Sequence, residues 1–83
     1  MEIKYIMFDN DTPVLFPGGI LHFSMNEAIR SEYLNKKPTS AGFVEFKNGE
    51  YVRCYGKSES LGLGCNRVVD ELIFKVMFKK KGD

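Results

Sequence analysis

The sequence predicts an α+β domain: a four-stranded, largely antiparallel sheet made from two hairpins, with two helices on one face, in the order ββαββα. Three features carry this expectation. Phe43-Val44-Glu45-Phe46 and Tyr51-Val52-Arg53-Cys54-Tyr55 flank Lys47-Asn48-Gly49-Glu50, and Asn-Gly tolerates the positive φ angles of a type I′ hairpin turn. Ser24-Met25-Asn26-Glu27 has capping-box spacing, in which Ser24 accepts from the N3 amide and Glu27 reaches back to the cap. Val68, Val69, Leu72, Ile73 and Val76 recur at the spacing of one helical stripe. The chain has 83 residues, so residues 1–83 are expected to form a single compact domain with one modest core.

In chain order, residues 2–8 are rich in β-formers and read as a strand. Asp9-Asn10-Asp11-Thr12 is a cluster of turn formers, and Val14-Leu15-Phe16 after Pro13 reads as a second strand. Proline has no backbone donor, which places this strand at an edge or just past the turn. Beyond the cap at Ser24, Met25, Ala28, Ile29 and Tyr33 share one face, so a helix is expected over residues 25–34, with Phe23 and Ala28 as its staple. Lys36-Lys37-Pro38-Thr39-Ser40 ends it as a loop. The Asn48-Gly49 hairpin follows, with Phe46 facing Tyr51. Residues 57–64 form a polar, glycine-rich connection.

The last element reads as a helix over residues 67–79. Asp70 and Glu71 near its start and Lys79-Lys80-Lys81 near its end suit the helix dipole. Ile73, Phe74, Val76 and Phe78 would also suit a strand. On the helical reading the stripe that includes Leu72 and Val76 enters the core. Phe74 and Phe78 then lie on the opposite side.

Charge and composition exclude several function classes. Hydrophobic residues are 43% and charged residues 28%, as in ordinary globular domains. The net charge is +1, too small a field to recruit nucleic acid or a membrane surface. Residues 1–34 carry −3 and residues 35–83 carry +4, a polarity that could guide docking on a charged partner. No run approaches the roughly 20 apolar residues of a membrane span. The acid at Glu2 and the lack of a basic leader predict a cytoplasmic chain. Cys54 and Cys65 are expected to be reduced thiols. With His22 the only histidine, a structural zinc site is not expected. No cofactor is expected either.

The run Tyr5-Ile6-Met7-Phe8-Asp9-Asn10-Asp11-Thr12 resembles the first motif of haloacid-dehalogenase-type phosphatases, an apolar strand followed by D-x-D-x-T. That resemblance implies Asp9 as nucleophile and Asp11 as acid or base. Pro13 stands where the pattern needs threonine, and a polar hairpin turn is the expected role. Gly56-Lys57-Ser58 and Gly62-Leu63-Gly64 begin to resemble phosphate-binding loops, but Tyr51 and Arg67 occupy places that need glycine.

No assembled set of nucleophile, base and oxyanion donors emerges, so the chain is not expected to be an enzyme. The expected function is a small non-catalytic interaction protein of adaptor or inhibitor type. It would dock on another protein, or on a second copy of itself, through Phe74, Phe78, Lys75 and Lys79, since aromatic residues make strong anchors. The alternative is a module that holds an anion or nucleotide-like ligand on the loop 57–67. Lys57, Ser58, Ser60, Gly62, Gly64 and Arg67 would supply backbone donors and charge.

Overall fold

The Asn48-Gly49 turn forms as its sequence requires: φ is 55° at Asn48 and 81° at Gly49. The computed structural model describes residues 2–32 and 35–78. Among the described residues six strands and two helices follow one another: β1 (Ile3–Phe8), β2 (Thr12–Pro17), α1 (His22–Ala28), β3 (Pro38–Lys47), β4 (Glu50–Tyr55), β5 (Lys57–Ser58), β6 (Leu63–Gly64) and α2 (Arg67–Met77). The main sheet has the order β2-β1-β3-β4, and every neighbouring pair is antiparallel. This is the expected α+β class. Phe46 pairs with Tyr51, and Glu45 with Arg53, so Val52 is an extra residue that bulges out of β4.

The first hairpin closes on Asp9-Asn10-Asp11, with Asp9 and Asn10 both at positive φ. Asn and Asp tolerate this conformation better than bulky residues do. Its carboxylates are spent locally. Asp9 accepts from the Lys37 amide at 2.9 Å, and Asp11 accepts from the Thr12 hydroxyl at 2.7 Å. Lys36 lies 3.8 Å from Asp9 and 3.6 Å from Asp11. The phosphatase-like motif is thus a hairpin turn pinned to the entry of β3. That entry, Pro38-Thr39-Ser40, is strand rather than the expected loop.

Three further expectations are corrected. α1 begins at His22, with extended Leu21 as its N-cap and no side-chain cap bond, and ends at Ala28. Ser24 therefore lies inside the helix rather than at its start. Tertiary contacts fix the earlier start. The His22 ring is buried, edge-on to Phe16 at 5.3 Å and to Phe43 at 6.0 Å, and its Nε2 donates to the Gly42 carbonyl at 3.0 Å. Tyr33, counted in the expected stripe, lies outside the described residues.

Second, the helices cover opposite faces of the sheet. Alternation along β1 sends Tyr5 and Met7 to one side and Ile6 and Phe8 to the other. Tyr5 and Met7 pack with Val44, Cys54 and Phe74, together with Ile73 and Phe78 of the α2 segment. Ile6 and Phe8 pack with Phe16 and Ala41, covered by Met25 and Ile29 from the α1 segment and by Leu61 and Leu63. The connection 57–64 is itself a small hairpin, β5–β6, and closes this second layer.

Third, α2 is rotated by half a turn from the expected orientation. Asn66 caps it, its side chain accepting from the Val69 amide at 3.3 Å, as expected of an N-cap asparagine. Asp70 and Phe74 face inward and are completely buried, whereas Val68, Leu72 and Val76 are 73%, 61% and 76% exposed. Aromatic burial decides the orientation. Phe74 meets Tyr5 edge-on at 5.0 Å and stacks on Tyr51 at 5.5 Å, while Phe78 meets Phe46 edge-on at 4.9 Å. Such pairs add about 0.5–1.5 kcal/mol each to area burial.

Candidate functional site

Three places on this framework could carry function. The first is the outer face of α2. Val68, Leu72 and Val76 stand at i, i+4 and i+8 and are 73%, 61% and 76% exposed. Glu71 and Lys75 run along one flank as an i,i+4 ion pair at 3.5 Å. The expected anchors are only partly available. Phe74 is a core residue with no exposed surface, because the rotation of α2 puts it over β1. Phe78 is half-buried in the same cluster. Lys75 is exposed, and Lys79 lies outside the described residues. Sequence periodicity located both stripes of the helix, but not which of them faces the sheet.

The second place is the loop 57–67. Ser58 is buried, and its hydroxyl accepts from the Leu61 amide at 3.1 Å. Ser60 accepts from the Phe23 amide at 3.1 Å, which ties the loop to α1. The Gly62 amide donates to the Ser58 carbonyl at 3.0 Å. The serines therefore hold the β5–β6 turn together.

Two shallow pockets flank this loop. One, of about 450 Å³, is lined by Lys57, Ser58 and Ser60 together with Lys4, His22 and Phe43. The other, of about 370 Å³, takes Lys57, Ser58, Gly62 and Gly64. The expected ligand residues are thus divided between two hollows, and Arg67 lines neither. Lys4 and His22 come from distant parts of the chain, and only the fold brings them here. Lys4 donates to the Ile20 carbonyl at 2.9 Å. Burial lowers the His22 pKa from its ordinary value; the bond to the Gly42 carbonyl opposes that shift and the Lys4 charge adds to it.

The third place lies between α2 and the sheet. The buried Asp70 carboxylate accepts from the Tyr5 hydroxyl at 2.5 Å, from Ser40 at 2.7 and 2.8 Å, and from the Asn66 amide at 3.0 Å. Asp70 thus reaches back to its own helix start, much as a capping box does, while tying β1 and β3 to α2. The charge order along the helix marks Asp70 only as a partner of the dipole. Its position four residues after Asn66, on the face of Phe74, was the available signal for this inward role.

Beside it, the Cys65 thiol lies 3.2 Å from the Cys54 sulfur, and both cysteines are free. Cys65 is pushed up to about 12, first by burial and then by its neighbours Cys54 and Asp70, against a bond with Tyr5. The Tyr51 hydroxyl is buried near Cys54 without a well-formed hydrogen bond.

No cluster of three or more His, Cys, Asp or Glu side chains suited to hold a metal occurs among the described residues. No described helix is long and apolar enough to cross a membrane. Comparison with protein-family models, with curated proteins and with solved structures returns no match to this chain.

Proposed function

We propose that the chain is a small interaction module that docks through the outer face of α2. One observation carries this reading: three aliphatic side chains at i, i+4 and i+8 are 61–76% exposed on a helix whose other side is anchored by Phe74 and Asp70. Contiguous exposed apolar surface of this kind marks contact sites, and a rigid helix face is a common docking element.

The occupant we favour is a second copy of the chain. Glu71 and Lys75 lie on the same flank of the stripe, and both are partly exposed. In an antiparallel pair of α2 helices each flank meets its own equivalent in reverse order. Glu71 of one copy then faces Lys75 of the other, twice, as a two-fold interface requires. A stripe of three aliphatic side chains offers little against the roughly 800 Å² per partner of a standard interface, so the dimer is expected to be weak.

Sedimentation equilibrium over a concentration series tests this. Wild type should dimerise, and Leu72→Glu should be monomeric with an unchanged circular dichroism spectrum. Glu71→Lys alone should weaken the dimer, and adding Lys75→Glu should restore it. A wild type that stays monomeric up to millimolar concentration overturns the second-copy reading.

A second reading has its own support, the pocket flanked by Lys4 and Lys57 with an aromatic wall at Phe43. A small anionic ligand there should raise the melting temperature of wild type but not of Lys57→Ala. Loss of Arg67 should leave the shift intact. A panel of nucleotides and phosphorylated metabolites that gives no shift removes this reading.

A further inference from the structure

We infer that Cys54 and Cys65 are a paired modification site: a dithiol that a low-molecular-weight disulfide oxidises to an intramolecular disulfide, fastening the start of α2 to β4. The inference does not depend on the docking face of α2. It rests on placement. Cys54 is on β4, 1% exposed, and Cys65 is in the link between β6 and the cap of α2. They are 11 positions apart, and their sulfurs already touch at 3.2 Å. The Cys65 amide donates to the carbonyl of Gly56, the residue that follows β4, at 3.0 Å, so the Cys65 backbone is tied two residues from Cys54. A disulfide needs about 2.05 Å between sulfurs, so only a short further approach of the two side chains is required. In a two-residue pair this close, the second step of exchange is intramolecular and has a high effective concentration.

The order of attack follows from access. Cys65 is half-buried and Cys54 is fully buried. The Cys65 thiolate attacks the disulfide of oxidised glutathione, forms a mixed disulfide and releases one glutathione thiol. The Cys54 thiolate then attacks the Cys65 sulfur and releases the second. The protein loses two electrons and two protons, and the oxidant becomes two thiols, so the exchange balances.

The groups around the pair are Tyr5 and Asp70 on the Cys65 side and Tyr51 on the Cys54 side. None is a cation, and burial holds Cys65 at about 12. The thiolate fraction is therefore small at neutral pH. Oxidation is expected to be slow, and it should speed up about tenfold for each pH unit below that value. The closed loop removes unfolded-state freedom, which should raise the melting temperature by roughly 10–20 °C.

The test incubates the folded protein with glutathione redox buffer at pH 7, 8 and 9, blocks free thiols with an alkylating reagent, and measures intact mass and melting temperature. The expected product is a monomer lighter by two hydrogens, with a tryptic peptide pair joining Cys54 to Cys65. Its rate should climb with pH, its melting temperature should be higher, and dithiothreitol should reverse both changes. Cys54→Ala keeps the core apolar and should instead accumulate a glutathione adduct at Cys65. The inference is overturned if both thiols of the folded protein stay alkylatable while the urea-unfolded chain oxidises. It is equally overturned if the disulfides formed join different chains.

Discussion

Tyr5→Phe is the most informative single perturbation of the fold. It deletes one hydroxyl and keeps the ring that meets Phe74 edge-on at 5.0 Å, so packing is almost unchanged. What is lost is a 2.5 Å bond to a fully buried carboxylate. Hydrogen bonds to charged groups contribute about 1.5–3 kcal/mol. Asp70 would still accept from Ser40 and from the Asn66 amide, which keeps the carboxylate from being orphaned and places the loss near 2 kcal/mol. For a domain of this size that is a drop in melting temperature of roughly 8–16 °C. Urea unfolding followed by circular dichroism should show a lower midpoint with an unchanged slope.

The same variant carries a pH signature. Burial, then the bond to Asp70, holds the Tyr5 hydroxyl far above its ordinary value of 10.0. The folded state therefore prefers the protonated phenol. Its contribution is fully present below about pH 10 and is lost as pH rises further, at about 1.4 kcal/mol per pH unit. Cys65, raised from 9.0 to about 12, begins the same decline near pH 9. The gap between wild type and Tyr5→Phe should thus be constant from pH 7 to 9 and narrow above pH 10. A midpoint shift worth less than about 0.5 kcal/mol, or a gap that widens in alkali, would refute the account of Tyr5 and Asp70 as a central tie.

Phe74→Ala should cost about 3–5 kcal/mol and expose the sheet to a hydrophobic dye. A variant that is as stable as wild type would mean that α2 does not cover this face. Gly56→Ala should cost at least 1–2 kcal/mol, because φ there is +77° and a Cβ would meet Phe43 at 2.8 Å; the melting temperature reads this directly. His22 has a lowered pKa in the fold, so its contribution is present above its ordinary value of 6.5 and fades as pH falls below it. The urea midpoint of wild type should decline between pH 7 and pH 5 more steeply than that of His22→Gln.

Local signals account for what the sequence disclosed. The φ demands of Asn48-Gly49 and the turn-forming Asp9-Asn10-Asp11 are decided within a few residues, and the structure has both turns in place. Where two local signals competed, distant contacts decided. The capping box at Ser24 was outweighed by the His22 ring, which fits between Phe16 and Phe43, residues from two separate strands. α2 offers apolar side chains on both flanks, and only the presence of Tyr5, Ser40 and Tyr51 on one face of the sheet selects Phe74 and Asp70 for burial. For the same reason the exposed stripe was legible as a stripe but was assigned to the core. The pocket beside Lys57 could not be read at all beyond its loop, because Lys4, His22 and Phe43 reach it through sheet pairing and the placement of α1. The nearness of Cys54 to Cys65 depends on the β5–β6 hairpin, which folds the intervening chain back on itself.

The tie between Tyr5 and Asp70 also bears on how the chain reaches its native state. β1 finds β2 across a three-residue turn, an event of microseconds. Its other edge waits for β3, and its Tyr5 hydroxyl waits for a carboxylate 65 positions further along. Contacts of such separation lower folding rates, since the loop must close before the contact is rewarded. Substitutions at Asp70 should consequently act on the unfolding rate and leave the folding rate nearly unchanged, whereas those at Asn48-Gly49 should slow folding. The strand at the centre of the sheet is among the first to form and the last to be fully satisfied.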